Sequence, residues 1–221
     1  MVDVTRNGEP APVVQLQVWL GARGGTDADD RRVLSAVVAR AAGVPAAVVE
    51  QHCTRCGGPH GRPVPVSPAA CTGWAASLSR AEESVAIAVA AGSPVGIDLE
   101  SIARLRRHSV DAVAFSDSEI AGLGGLSPAA GARARAALWT AKEAVLKLTG
   151  QGLRVDPREL TVDLTRGGAP TRVRDWPGAP FALHRLRLFS VPAAPGLVAT
   201  VAVLAESPPT LRLLRVERSG W

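Results

Sequence analysis

VGIDLE, residues 95–100, puts two carboxylates into a short apolar run. In an extended strand, side chains two positions apart point the same way. Asp98 and Glu100 then stand side by side on one face, while Ile97 and Leu99 turn toward a core. Two like charges at that spacing repel unless a positive group or solvent lies between them. A metal ion, an arginine or lysine, and water each meet that need.

The neighbouring segments predict the layout around this strand. PVVQLQVWL (12–20) alternates and reads as a strand, and Thr26 is a fitting N-cap for an amphipathic helix with an acidic first turn that ends near Gly43. VVEQH (48–52) reads as a short strand, while GGPHGRPVPVSP (57–68) is too rich in Gly and Pro for regular structure. Residues 74–90 and 93–100 read as strands, with AGSP as a hairpin turn between 85–90 and 95–100. Residues 109–123 have helical character interrupted around Phe115–Asp117, and the strongest helix runs from 132 to 148, closed by Gly150 and Gly152. FALHRLRLFS (181–190) and GLVATVAVLA (196–205) read as strands, and LRLLRVER as a last strand or a basic tail. Strand, helix and paired strands thus occur in both halves. The expected fold is α+β, as two similar small subdomains with antiparallel sheets, 1–94 and 95–221.

Bulk properties narrow the function. At 47% hydrophobic and 20% charged residues, the 221-residue chain is too apolar for a disordered segment. With five Trp, three Phe and no Tyr, Ala and Val fill much of the core. Residues 1–95 hold eight Arg and eight acidic residues, whereas 96–221 hold seventeen Lys plus Arg against twelve acids, which accounts for the net +5. The basic second half calls for an anionic partner: phosphate, nucleic acid or an acidic protein. No run reaches the roughly 18 apolar residues of a membrane span, and polar residues at 5–9 do not form a secretion signal. Three cysteines make no disulfide framework, so a cytoplasmic protein with reduced thiols is expected.

WTAKEAVLKLTG (139–150) is the second informative stretch. On a helix, Trp139, Glu143 and Lys147 share a face. Alone, Glu143 and Lys147 read as an ordinary surface pair, and Glu119 in FSDSE as an exposed helix residue. Together, Asp98, Glu100, Glu119, Glu143, Lys142 and Lys147 supply what phosphoryl chemistry on a diphosphate needs: oxygen ligands for magnesium and ammonium groups for phosphate.

VGIDLE, FSDSE and WTAKEAVLKLTGQGL, in this order and spacing over residues 95–153, resemble the motifs of Sfp-type 4'-phosphopantetheinyl transferases. Upstream, CTRCGGPHGRP (53–63) is similar to the segment found before the first paired strands in many members. The resemblance implies a pseudo-twofold α+β fold and a magnesium-dependent transfer of phosphopantetheine from coenzyme A to a serine of an apo acyl or peptidyl carrier protein. Adenosine 3',5'-bisphosphate is released. It implies Asp98, Glu100 and Glu143 as magnesium ligands, and Glu119 near the metal and its water. Lys147 is implied at the coenzyme A phosphate and the leaving group, Lys142 beside the phosphates, and Arg62 at the nucleotide 3'-phosphate. Glu143 is the first choice for the base that takes the serine proton, with Glu119 next. One position departs from the pattern: SLSRAEE carries Arg80 where many relatives have histidine. Arginine binds phosphate but does not shuttle protons near neutral pH.

The implied partner is an acidic carrier domain of fatty acid, polyketide or peptide synthesis, steered by basic residues such as Arg104, Arg106 and Arg107. A monomer is expected, with no membrane and no nucleic acid as partner. Three other readings compete. His52, Cys53, Cys56 and His60 hold enough donors for zinc, although the second cysteine pair of a zinc ribbon is missing. A basic nucleic-acid-binding module fits the pI of about 10.0 but leaves the paired acids unexplained. A catalytically impaired coenzyme A or carrier-binding module is the third, kept open by Arg80.

Overall fold

SVAIAVAA is apolar on both of its faces, and this sets the layering. In strand β5 (Ser84–Ala91), Val85, Ile87 and Val89 point one way and Ala86, Ala88 and Ala90 the other. A strand covered on both sides reads as a continuous apolar run. The computed structural model describes residues 13–53, 56–59 and 61–216. In it, β5 lies inside a four-stranded sheet with β1 (Gln15–Ala22), β4 (Trp74–Ala81) and β11 (Thr210–Arg215), in the order β11-β1-β5-β4.

Helix α1 (Asp27–Ala42) packs on the valine face. It starts at a capping box, where Thr26 and Asp29 satisfy each other's backbone groups, and it ends at Gly43 with φ 70°. The alanine face meets Val95, Ile97 and Leu99 of β6 (Val95–Ser101). Strand β6 belongs to a second sheet, ordered β6-β10-β9, with β9 at Leu186–Val191 and β10 at Leu197–Leu204. Small side chains on the inner face of β5 allow the two sheets to stack.

The far face of the second sheet carries the long helix α5 (Pro128–Thr149). Ser127 caps it, Pro128 stands at its first position, and Gly150 closes it at φ 72°. Its apolar face, with Leu138, Ala141, Val145 and Leu148, shares a core with Leu186, Leu188 and Ala202. Three short helices lead from β6 to α5: α2 (Ile102–Arg107), α3 (Asp111–Ala114) and α4 (Asp117–Leu123). Two small hairpins complete the fold, β2 (Val48–Gln51) with β3 (Pro63–Ser67) and β7 (Thr161–Leu164) with β8 (Pro170–Asp175). The chain is α+β, with several small sheets that are antiparallel except where β11 runs parallel to β1.

The structure corrects several expectations. The hairpin turn is at Glu82-Glu83, between paired Ala81 and Ser84, not at AGSP. The two glutamates are the real interruption of the apolar pattern, and Glu82 takes the left-handed φ of 49°. Residues 92–94 instead carry the chain from one sheet to the other, where β6 pairs with β10. Pro63 and Pro65 lie in a strand after all, because β3 pairs on one side only and tolerates missing N–H donors. The strand expected from 181 begins at Leu186, after a one-turn 3-10 helix at Leu183–Arg185. Among the described residues, no helix is long and apolar enough to cross a membrane.

Gly96 of β6 faces α5 at the closest approach of the two elements. A Cβ there would stand 1.9 Å from the Ala144 carbonyl oxygen and 2.6 Å from the Leu148 nitrogen, both backbone atoms. Gly96→Ala is therefore expected to cost about 3 kcal/mol, at the upper end of overpacking effects. Urea denaturation of the two proteins checks this, and a loss below about 1 kcal/mol would show that α5 can shift freely.

Candidate active site

The face of β6 that carries Gly96 also carries Asp98 and Glu100, so both acids look toward α5. From α5, Glu143 and Lys147 lie one turn apart on the same row. Lys147 Nζ donates to Asp98 Oδ1 at 2.7 Å, to the Ile97 carbonyl at 3.1 Å and to Ser79 Oγ at 3.1 Å. All three of its protons are placed. Ser79 arrives from β4 and donates to the same Asp98 Oδ1 at 2.8 Å. Trp139 Nε1 donates to Glu100 Oε1 at 3.4 Å, and Arg104 stands 4.0 Å from Glu100 Oε2.

The remaining carboxylate oxygens give the cluster its character. Asp98 Oδ2, Glu100 Oε2 and Glu143 Oε1 are buried and have no hydrogen-bond partner among the described residues. Burial pushes the Glu143 carboxyl up to about 7, with the Asp98 and Glu100 charges adding to the rise and Lys147 opposing it. Burial also raises Glu100, followed by the charge of Asp98. The three acids therefore sense one another and are short of positive charge. Orphaned, mutually repelling oxygens fit a divalent cation. Among the described residues no three His, Cys, Asp or Glu side chains form a ready cage.

Glu119 and Lys142 are not in this cluster. The serine cap of α4 brings Glu119 inward, where Oε2 accepts from Lys142 Nζ at 2.5 Å and from the Ser116 nitrogen at 2.9 Å. Its Oε1 accepts from the Val162 nitrogen at 2.8 Å. Lys142 is wholly buried and spends its other protons on the carbonyls of Ala114 and Pro157, at 2.7 and 3.0 Å. This pair locks α4, α5 and the start of β7 together. Burial lowers the Lys142 ammonium, and the Glu119 contact restores part of the loss.

The basic positions separate as well. Alternation along β4 turns Ser77 and Ser79 toward β6 and Arg80 toward α1. Arg80 Nε donates to Asp30 Oδ2 at 2.6 Å, and the fully buried Asp30 also accepts from the Gly24 nitrogen. Arg62 is exposed and lies over Gly150 at the end of α5, its Cδ 3.6 Å from where a Cβ would be. Arg104, Arg106 and Arg107 are exposed on α2, directly after Glu100. In the cysteine loop, Cys53 is half-buried and Cys56 exposed, while His60 lies outside the described residues. Sequence reasoning missed Ser77 and Ser79 as links between the sheets; their signal is the i, i+2 repeat of small polar residues in SLS.

Two measurements probe this division. Lys142→Met leaves Glu119 charged and buried, and is expected to cost about 3–5 kcal/mol in urea denaturation; a loss under about 1 kcal/mol would contradict the lock. Glu143, whose folded pKa lies above the unfolded value, supports folding only while it holds its proton. That contribution is complete below the unfolded value of 4.5 and disappears as pH rises to about 7. In EDTA, Glu143→Gln is expected to match the parent near pH 4 and to exceed it by about 3 kcal/mol at pH 8. A difference that does not change with pH would show that Glu143 ionises normally.

The sequence model of the 4'-phosphopantetheinyl transferase superfamily matches residues 94–201, which run from the start of β6 into β10 and include α5. A holo-(acyl-carrier-protein) synthase from Bacillus anthracis str. Ames, solved in complex with CoA (3',5'-ADP), is similar in structure at 19% identity and a TM-score of 0.42, over 52% of this chain and 96% of that one. No curated protein matches the chain. Residues 94–201 are thus the part of this chain that is similar to the 4'-phosphopantetheinyl transferase superfamily.

Proposed function

We propose that this protein transfers the 4'-phosphopantetheine group of coenzyme A to a serine of an apo carrier protein and releases adenosine 3',5'-bisphosphate. The observation that carries this reading is the trio of buried oxygens on Asp98, Glu100 and Glu143 that accept no hydrogen bond among the described residues, beside Lys147 and inside the segment similar to the family. A magnesium ion held by Asp98, Glu100 and Glu143 would neutralise charge on the diphosphate.

The chain's own groups divide the remaining work. Glu143 is the first choice for the group that takes the proton of the attacking serine, since neither of its oxygens is committed to a hydrogen bond among the described residues. Glu119 is the poorer base, since both its oxygens are already committed. Lys147 sits at the mouth of the cluster with its ammonium on Asp98. By exchanging an acceptor for a phosphate oxygen it would steady the departing bisphosphate. Arg62, exposed beyond the last turn of α5, would hold the distal phosphate. Arg104, Arg106 and Arg107 present positive charge next to Glu100, where an acidic carrier would bring its serine. Positioning and electrostatics carry most of this chemistry, and no covalent protein intermediate is needed.

The test is intact mass of several apo carrier proteins after incubation with this protein, coenzyme A and magnesium, with EDTA and Asp98→Ala as controls. The expected result is a gain of one phosphopantetheine group that disappears in both controls. No gain with any carrier, together with no magnesium-dependent binding of coenzyme A, would overturn the proposal.

A further inference from the structure

Two acids of the cluster, Asp98 and Glu100, follow one rule: one carboxylate oxygen is tethered by the chain, and its twin accepts no hydrogen bond among the described residues. For Asp98 the tethered atom is Oδ1, held by Ser79 Oγ at 2.8 Å and by Lys147 Nζ at 2.7 Å, and the open one is Oδ2. Ser79 is the contribution of the other sheet. The residue is 6% exposed, and it reaches Asp98 because β4 runs alongside β6 on the edge away from β10. Two residues earlier on the same face, Ser77 Oγ accepts from the Ile97 nitrogen at 3.0 Å and touches no carboxylate. The two serines therefore share a strand, a face and a burial class, yet only one meets the acid.

We propose that Ser79 is a positioning residue for the cation-facing oxygen of Asp98. A carboxylate on a short side chain rotates about its last bond and can present either oxygen. The Ser79 hydroxyl has one proton and spends it on Oδ1, while its lone pairs receive Lys147. That reciprocal arrangement fixes the carboxylate plane without neutralising Oδ2. Lys147 alone does not do this, because a flexible ammonium with three donors follows whichever oxygen is nearer. Partners that orient a ligand from behind typically change metal affinity by about 10- to 100-fold when removed. The assignment rests on the transferase reading only in taking Asp98 as a cation ligand.

The experiment titrates Mn2+ into the full chain, without coenzyme A or carrier, and reads binding by electron paramagnetic resonance of the free ion. Ser79→Ala is expected to weaken Mn2+ by about 10-fold or more, while Ser77→Ala, which also removes a hydroxyl between the sheets, stays within about threefold of the parent. Ser79→Thr keeps the hydroxyl on a strand position that tolerates β-branching and is expected to restore affinity. Far-UV circular dichroism and melting of each variant establish that it is folded. Equal affinity in Ser79→Ala and the parent overturns the assignment, as does an equal loss in Ser77→Ala and Ser79→Ala. Absence of Mn2+ binding in the parent is a different result: it removes the cation reading of Asp98 itself.

Discussion

The close approach of α5 to β6 at Gly96 is the constraint on which the rest depends. A helix normally keeps its backbone away from a sheet by the depth of the side chains between them. Here a missing Cβ lets the turn at Ala144 to Leu148 settle onto the strand itself. Glu143 and Lys147 flank that contact on the helix, and Asp98 follows it by two positions on the strand. Four charged side chains are brought together because one residue has no side chain. The buried Thr140–Thr200 hydroxyl contact, 2.9 Å, pins the same two layers from the neighbouring strand.

Helix α5 also shows how one element keeps structural and functional charge apart. Lys142 and Glu143 are adjacent in sequence, but successive helical positions are about 100° apart, so they face different neighbours. Lys142 enters an interior where every donor meets an oxygen, and its ion pair with Glu119 serves to hold α4 in place. Glu143 enters a region with too many carboxylates and too few donors. A buried charge with all its partners supplied by the chain has little left to offer a ligand. A buried charge lacking them is stabilised by binding one.

Much of this was legible in the sequence. The alternation in VGIDLE placed Asp98 and Glu100 on one face, and the i, i+4 spacing of Glu143 and Lys147 placed them on another. The capped helix from Thr26 was readable because its signals are local. What escaped were features fixed by distant partners. The pairing of β6 with β10 rather than β5 depends on a strand some hundred residues away, and the parallel return of β11 to β1 closes a sheet across almost the whole chain. The difference between Glu119 and Glu143 was equally hidden, because both are helix carboxylates whose roles follow from what the fold sets opposite them.

Arg80 shows why position along a motif does not by itself assign a contact. Its sequence neighbour Ser79 touches the acid cluster, yet the pleat sends Arg80 to the opposite face of β4. There it neutralises Asp30, a wholly buried carboxylate that also ties down Gly24 ahead of α1. An uncharged residue at position 80 would leave that acid with Arg23 at 3.6 Å as its nearest remaining cation. A permanent charge therefore suits the site for a reason unrelated to phosphate: it secures the α1 layer while leaving the Asp98 layer unchanged. Position 80 thus lies on a face of the sheet that the acid cluster does not share.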